Sequence, residues 1–462
     1  MRFILEKIQQ QRRDAGGFRN LILHTAFALT LTSGLSYFLG LVRDRTFATT
    51  FGASAELDIY NAAFVIPDFF LALLVTGTLS AAFVPIFSHL DEHNKKKAIL
   101  YTNQIISYGL LVLGTVCMLF AIFLPHFVDF LVPGFDELEQ AQYIQITRLM
   151  LLSPFFFAIS NTFGNVLIST KEFLWYGLAP AMYNLGIIAG VFLFAPTMGI
   201  MGLVVGTLLG AFLHLLIRMP SVIKYGWRPR FTLAFNSEIK ETIFLMIPKM
   251  LQLGMWQLLL WWFIRLATQL EEGSVTIYAF ARNFQSVPVS LIGIAIALAA
   301  FAELSHIAAN KHYKEFAIKI KQKSLTIVGY TMLAAIALAV FSYPIINVLL
   351  GGGKFDQAAV TATASLLMVY ALAIPLESVM HLLSRAHFAL KNTWRPSFIH
   401  AMTIALTMGI SAHLIPTIQL FAIPVAFAIG LALQTLLLVL SLMQMLRKLR
   451  LSERIKGALG VD

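Results

Sequence analysis

Apolar residues in this chain fall into long blocks, separated by short stretches where charged residues, Gly and Pro collect. The blocks run to roughly 20 residues or more, the length an α-helix needs to cross the hydrocarbon of a bilayer. The pattern predicts twelve spans, at 21–49, 57–88, 99–126, 143–168, 174–196, 200–219, 240–269, 274–306, 324–350, 358–387, 396–416 and 419–446. A membrane β-barrel would instead alternate apolar and polar residues in runs of about ten. The expected fold class is therefore an all-α polytopic membrane protein with about 12 transmembrane helices. The first block opens near Leu21 and continues without a small-residue cleavage site, so it is expected to be retained as a span rather than removed as a signal peptide.

Basic residues order these spans across the membrane. Residues 1–19, the tail from Arg447 onwards and every second loop together hold 27 of the 34 Lys and Arg residues. Positive charge stays on the cytoplasmic side, which places both termini there. Faint repeats run through the pattern. PGFD at Pro133 to Asp136 and GKFD at Gly353 to Asp356 are offset by 220 (355 − 135), as are Lys171 and Lys391 (391 − 171). Ser88-His89 and Ser305-His306 lie 217 apart (305 − 88). Three residue matches at an offset of 220 and one pair at 217 suggest a duplicated six-helix unit. The repeats would be parallel ones, as transporters use for two lobes around a central site. The expected organisation is an N-terminal lobe (1–219), a cytoplasmic connector (220–239), a C-terminal lobe (240–446) and a basic cytoplasmic tail (447–462). Prolines inside spans, among them Pro67, Pro154, Pro288 and Pro375, predict kinks.

Charge inside the apolar blocks is the candidate chemistry. The stretch Gly40 to Pro85 carries Arg43, Asp44, Arg45, Asp58 and Asp68, and later spans carry Lys249, Arg265 and Arg282. Ionisable groups at membrane depth are costly and face a bundle interior or a watery cavity. Arg43 to Arg45 can equally be an ion-pair cluster at a helix end, and Arg265 can snorkel to the interface.

Composition narrows the class. Of the 462 residues 58% are hydrophobic and 12% charged, about half the charged share of soluble domains. The formal charge of +11 is accounted for by orienting loops rather than by nucleic acid. Cys117 stands alone, which leaves no disulfide framework or thiolate metal site. The 11 histidines form no HExxH, and GGGK at Gly351 to Lys354 lacks Walker spacing. With no nucleophile–base set, neither an enzyme, a metal nor a cofactor is expected.

LGLVRDRTFATTFGASAELDIYNAAFVIPD, followed by AFVPIF from Ala82 to Phe87, resembles the opening signature of the MurJ/MviN lipid II flippases, members of the multidrug/oligosaccharidyl-lipid/polysaccharide exporter superfamily. Later segments agree in order: PGF at Pro133, APAMYN at Ala179 to Asn184, GSV at Gly273, GGGKFD at Gly351, and LLSRAHFALKNTWRP at Leu382 to Pro396. The resemblance implies two six-helix lobes around a central cavity. It implies a substrate in which a saccharide-peptide hangs from undecaprenyl pyrophosphate, and candidate partners among cell-wall synthesis proteins. Fixed cations would replace the hydration of the pyrophosphate, for which arginine is the preferred partner. On this reading Arg43 is the first candidate for a pyrophosphate contact, oriented by Asp44. Asp58 matches a polar family position, and Asp68 stands where the family usually has Asn.

The chain also departs from the family. Tyr37 and Ala72 replace arginines, Thr76 replaces a Glu, and Arg282, Asn283 and Ser286 stand where the family shows an Asp-Arg pair and a later Glu. The cationic cavity is thus rebuilt, with Arg282, Arg265 and Lys249 as candidate replacements. Some relatives hold sodium with carboxylates on late helices, but no acidic residue lies between Glu377 and Glu453 here. No such sodium site is expected, leaving membrane potential or another ion to drive the cycle. The alternatives are a flippase for another polyprenyl-linked saccharide, a drug or cation exporter of the same superfamily, and a non-transporting cell-wall scaffold.

Overall fold

The structure is a computed structural model. It describes residues 28–74 and 78–459, apart from the side chains at 74, 78–81, 248–249, 251–252, 450 and 452–459. Helices follow one another almost without interruption. They are α1 (28–51), α2 (Ala55–Leu74), α3 (Thr78–His93), α4 (Lys95–Leu131), α5 (Glu137–Met150), α6 (Ser153–Ser169), α7 (Phe173–Leu193), α8 (Ala195–Met198), α9 (Ile200–Leu216) and α10 (Met219–Tyr225). Then come α11 (Ser237–Ala267), α12 (Ser274–Pro288), α13 (Ala295–Ala309), α14 (Tyr313–Val340), α15 (Ser342–Leu349), α16 (Gln357–Ala371), α17 (Ala373–Ala389), α18 (Trp394–Ile418) and α19 (Ala422–Leu459). The bridge between Gly352 and Phe355 is the sole β pairing among the described residues.

Seven helical stretches among the described residues are long and apolar enough to span a membrane, or eight when the bent pair α16–α17 is taken as one. The chain is a multi-pass membrane protein. The expected count of twelve was drawn more finely. It took in segments such as α2, with Glu56 and Asp58 in its first turn, and α11, whose apolar stretch is the shorter Leu253–Ala267. Residues 21–27 of the first expected span lie outside the described residues.

Prolines set the breaks. Pro154 sits in the first turn of α6, directly after the break that ends α5, and α16 and α17 meet at a bend of 42° just before Pro375. A proline has no N–H to donate to the preceding turn and is tolerated where a helix starts. Pro288 ends α12, and residues 289–294 continue as a π-helical turn that joins α13. The internal offsets persist in the helices. α5 and α16 start 220 positions apart (357 − 137), and α6 and α17 both start and end 220 apart (373 − 153, 389 − 169). α3 and α13 start 217 apart (295 − 78).

Two compact units divide the chain. The first comprises residues up to Phe47, Ala63–Val128 and Ala141–Gly254. Its tightest pair is α7 and α9, where Gly186 faces Gly210 and Gly190 faces Gly206. Small residues four apart let two backbones touch, which drives helix association in lipid where the hydrophobic effect between helices is lost. At the end where α3 and α4 meet, Phe83 stacks on Phe87 at 5.3 Å and on Tyr101 at 5.2 Å. Phe163 meets Trp227 edge-on at 4.8 Å. The segment after α10 lies along α4, whose side chains take up its backbone groups. Asn103 donates to Arg228 O at 3.0 Å, Gln104 to Ala234 O at 3.1 Å and Tyr108 to Leu233 O at 2.7 Å, while Ser107 accepts from Thr232 N at 3.0 Å. A non-helical segment keeps its polar backbone satisfied in this way.

The second unit comprises Met255 onwards together with Ala48–Ala62 and Asp129–Gln140. Its centre is a ring of aromatics: Phe263, Tyr278, Tyr370 and Phe427, with neighbouring centroids 6.1 to 6.3 Å apart. The π-helical turn packs onto α17, with Gly293 against Ser378.

Candidate functional site

In the first unit α1 presents Arg43. Its Nε and Nη2 donate to Asp44 Oδ1 at 3.0 and 2.8 Å, and its Nη1 donates to Asn184 Oδ1 at 3.0 Å. The Asn184 amide is itself held, its nitrogen donating to the Ser36 carbonyl at 3.2 Å. Asp44 is buried, while the Arg43 side chain keeps 24% of its surface exposed. Asp68, half-buried on α2, lies close enough to Arg43 to feel its charge. The structure thus brings Arg43, Asp44 and Asp68 together and adds Asn184. A guanidinium locked in one plane by two side chains loses little freedom when it grips a tetrahedral oxyanion. Arg45, one position on, is exposed.

Asp58 takes a different place. It is buried in the second unit, where Oδ2 accepts from Gly273 N at 2.8 Å and Oδ1 from Thr276 N at 2.7 Å. Those N–H groups belong to the N-terminus of α12, so the carboxylate caps a helix distant in sequence and meets its positive dipole end. Nearby, Asn61 donates to the Thr276 hydroxyl at 3.2 Å and the Ala55 N–H donates to Glu272 at 2.9 Å. Lys354 N donates to the Thr49 carbonyl at 3.0 Å.

Arg282 forms a second charged cluster. Its Nη2 donates to Glu377 Oε1 at 3.0 Å, a further bond joins it to Gln285, and the Gln285 amide donates to Glu377 Oε2 at 3.0 Å. The guanidinium lies over Phe427 at 5.1 Å and over Trp256 at 5.8 Å. A half-buried arginine paired in this way sets the packing of its surroundings at a desolvation cost. Arg265, in the last turn of α11, donates to the Phe130 carbonyl at 2.8 Å and stacks on Phe130 and Trp262. The Lys249 side chain lies outside the described residues.

Sequence reasoning did not single out Asn184, Gln285 or the Arg282–Glu377 pairing. Asn184 stood inside a quoted motif, APAMYN, so its position was visible but its partner was not. Glu377, four residues before His381 within an apolar block, was the usable signal for a buried pair.

The architecture matches known structures. Over 92% of this chain and 90% of the other, it superposes on a lipid II flippase MurJ in an inward closed conformation, with TM-score 0.78 and 23% identity. Over 90% and 95% it superposes on an inward-facing multidrug resistance MATE family transporter of the MOP superfamily, with TM-score 0.74 and 12% identity. At such identities these likenesses speak for the fold. Among curated proteins, a probable lipid II flippase MurJ of Borreliella burgdorferi is 26% identical over 430 residues, covering 89% of this chain and 81% of the relative. The family model described as lipid II flippase MurJ matches residues 47–457, most of the chain, and the protein is therefore a member of the MurJ family.

Proposed function

We propose that the chain translocates a polyprenyl-pyrophosphate-linked saccharide-peptide, lipid II, from the cytoplasmic to the outer leaflet by alternating access. A polyisoprenoid tail can stay in lipid during the move, but a pyrophosphate with its saccharide and peptide cannot cross hydrocarbon unaided. The two working lobes are residues 1–219 and 240–446, joined by the cytoplasmic connector 220–239, with the tail 447–462 and both termini in the cytoplasm. Cell-wall synthesis proteins are the partners this role implies.

The observation that carries the reading is Arg43, aligned by Asp44 and Asn184 and partly exposed. It is the first pyrophosphate contact, with Asp44 and Asn184 as positioning residues and Asp68 balancing its charge when substrate is absent. Arg282, Lys249 and Arg45 are secondary candidates for headgroup contact. Asp58 and Arg265 act through the helix ends and backbone they hold.

The test is complementation of a flippase-depleted bacterial strain, with membrane insertion followed by immunoblot. Arg43→Ala is expected to abolish growth while the protein still inserts, and Arg43→Lys to restore it only in part, because a lysine lacks the planar fork. Full growth with Arg43→Ala overturns the assignment.

A further inference from the structure

Glu377, His381 and Arg385 lie four apart on α17, so they share one face of that helix. Glu377 is engaged by Arg282 of α12. His381 lies within electrostatic reach of Glu377, Arg385, Arg282 and a second histidine, His400 of α18. His400 is 6% exposed, and its ring is stacked on Trp256 of α11 at 6.2 Å and 16°. Its Nδ1 is 2.9 Å from the Gln434 amide nitrogen of α19. A small cavity beside the ring is lined by Trp256, His400, Thr403, Thr407, Phe427 and Gln434. The Tyr370 ring lies 6.1 Å from Phe427, and its buried hydroxyl has no hydrogen-bond partner among the described residues. A buried imidazole thus sits beside a cavity, with titratable side chains of α17 within electrostatic reach.

The chemistry of this row suits a proton. A metal cation wants several hard oxygens or thiolates, and Glu377, the carboxylate in this cluster, is occupied by Arg282 and Gln285. Imidazole with an amide partner is satisfied both with and without an added proton. Gln434 can offer its N–H to neutral Nδ1 or turn its oxygen toward protonated Nδ1. The neighbours from α11 and α19, Trp256 and Gln434, are uncharged. Among the described residues, the charged and titratable groups around His400 are His381, and with it Glu377, Arg385 and Arg282. Glu377 and Arg282 cancel, leaving Arg385 as the uncompensated charge among these groups.

We propose that His400 reversibly binds one proton and that this proton moves through the carrier as the transport cycle turns. The proton is taken from water at one membrane face, held on Nδ1 of His400, and returned to water at the other face. No other bond is made or broken. The coupling half of the proposal rests on the flippase reading above; proton binding does not.

The test separates the two. Full-length protein in lipid nanodiscs, without substrate, is titrated from about pH 8 to about pH 5, the range in which imidazole changes charge. Trp256 emission is read as the difference between the wild type and Trp256→Phe. A quenching step is expected as the stacked imidazole charges. It is absent in His400→Gln, and it moves up by about one pH unit or more in Gln434→Glu, where a carboxylate faces the ring. In proteoliposomes with a trapped pH dye, fluorescent lipid II flipping by the wild type is expected to move protons, and by His400→Gln to move none. No quenching step in the wild type, or a step unmoved by both variants, overturns the site. Flipping without proton movement overturns the coupling. A normal quenching step in a protein that flips no lipid II supports the site and counts against the lipid II reading alone.

Discussion

Lysine rarely adopts positive φ, yet it does so three times here at equivalent places. Lys171, Lys311 and Lys391 have φ of 63°, 58° and 58°. Each follows the last turn of a helix, and the next N–H reaches back to close it: Glu172 to Leu167 O at 2.8 Å, His312 to Ile307 O at 3.2 Å and Asn392 to His387 O at 3.0 Å. This is the closure glycine usually provides, because a Cβ in left-handed conformation costs about 1 kcal/mol or more. A cation there meets the negative end of the helix dipole, and each of the three falls in a loop that the charge pattern assigns to the cytoplasm. Lys391→Gly is therefore expected to raise thermal stability in detergent by about 1 kcal/mol or leave it unchanged, while Lys391→Val lowers it. The matched spacing of Lys171 and Lys391 was visible in the chain, but their backbone conformation was not. A single residue's φ follows from the turn that encloses it.

At the scale of elements, glycine spacing and the ends of helices matter most. Gly186 and Gly190 on α7 face Gly210 and Gly206 on α9 without room for a Cβ. Gly190→Leu is expected to destabilise the protein by at least about 3 kcal/mol, read as loss of a monodisperse peak on size exclusion. Gly409→Ala, at a helical glycine with nothing within 4 Å, is expected to be neutral or slightly stabilising. The spacing of these glycines was legible, since residues four apart share a helix face. Which helix they would meet was not. The cap on α12 is the converse case. Asp58 stood out as a charge near a membrane span, but its two backbone partners, Gly273 and Thr276, lie more than two hundred positions away. Asp58→Ala leaves buried N–H groups unpaired and is expected to cost about 1–3 kcal/mol. Asp58→Asn, which keeps one acceptor, should cost less. Equal melting temperatures for all three proteins would remove the cap from the account.

For the molecule as a whole, the second unit takes in Ala48–Ala62 from the first two helices. A cycle of alternating access requires helix ends to part and re-form. The Asn61 to Thr276 hydrogen bond, at 3.2 Å, offers a place to lock that step. The pair Asn61→Cys and Thr276→Cys, in a background lacking Cys117, is expected to abolish complementation when oxidised and to recover with reductant. Unchanged transport by the oxidised protein would show that this segment and α12 need not separate.

Several properties were determined by the chain alone. Blocks of apolar residues set the class of fold, because only hydrogen-bonded helices satisfy their backbone in lipid. Matching offsets in PGFD and GKFD and in the paired lysines foretold helices that begin and end in the same register. Motif order pointed to the family. What tertiary structure alone decided is the work done by each charge. Arg43 and Asp68 lie within electrostatic reach, Asp58 caps a helix, Arg265 holds a carbonyl, and Arg282 is paired with Glu377 over Phe427 and Trp256. A charge at membrane depth must find a partner, and sequence shows that need. The partner lies on another helix, at a distance along the chain that local pattern does not encode.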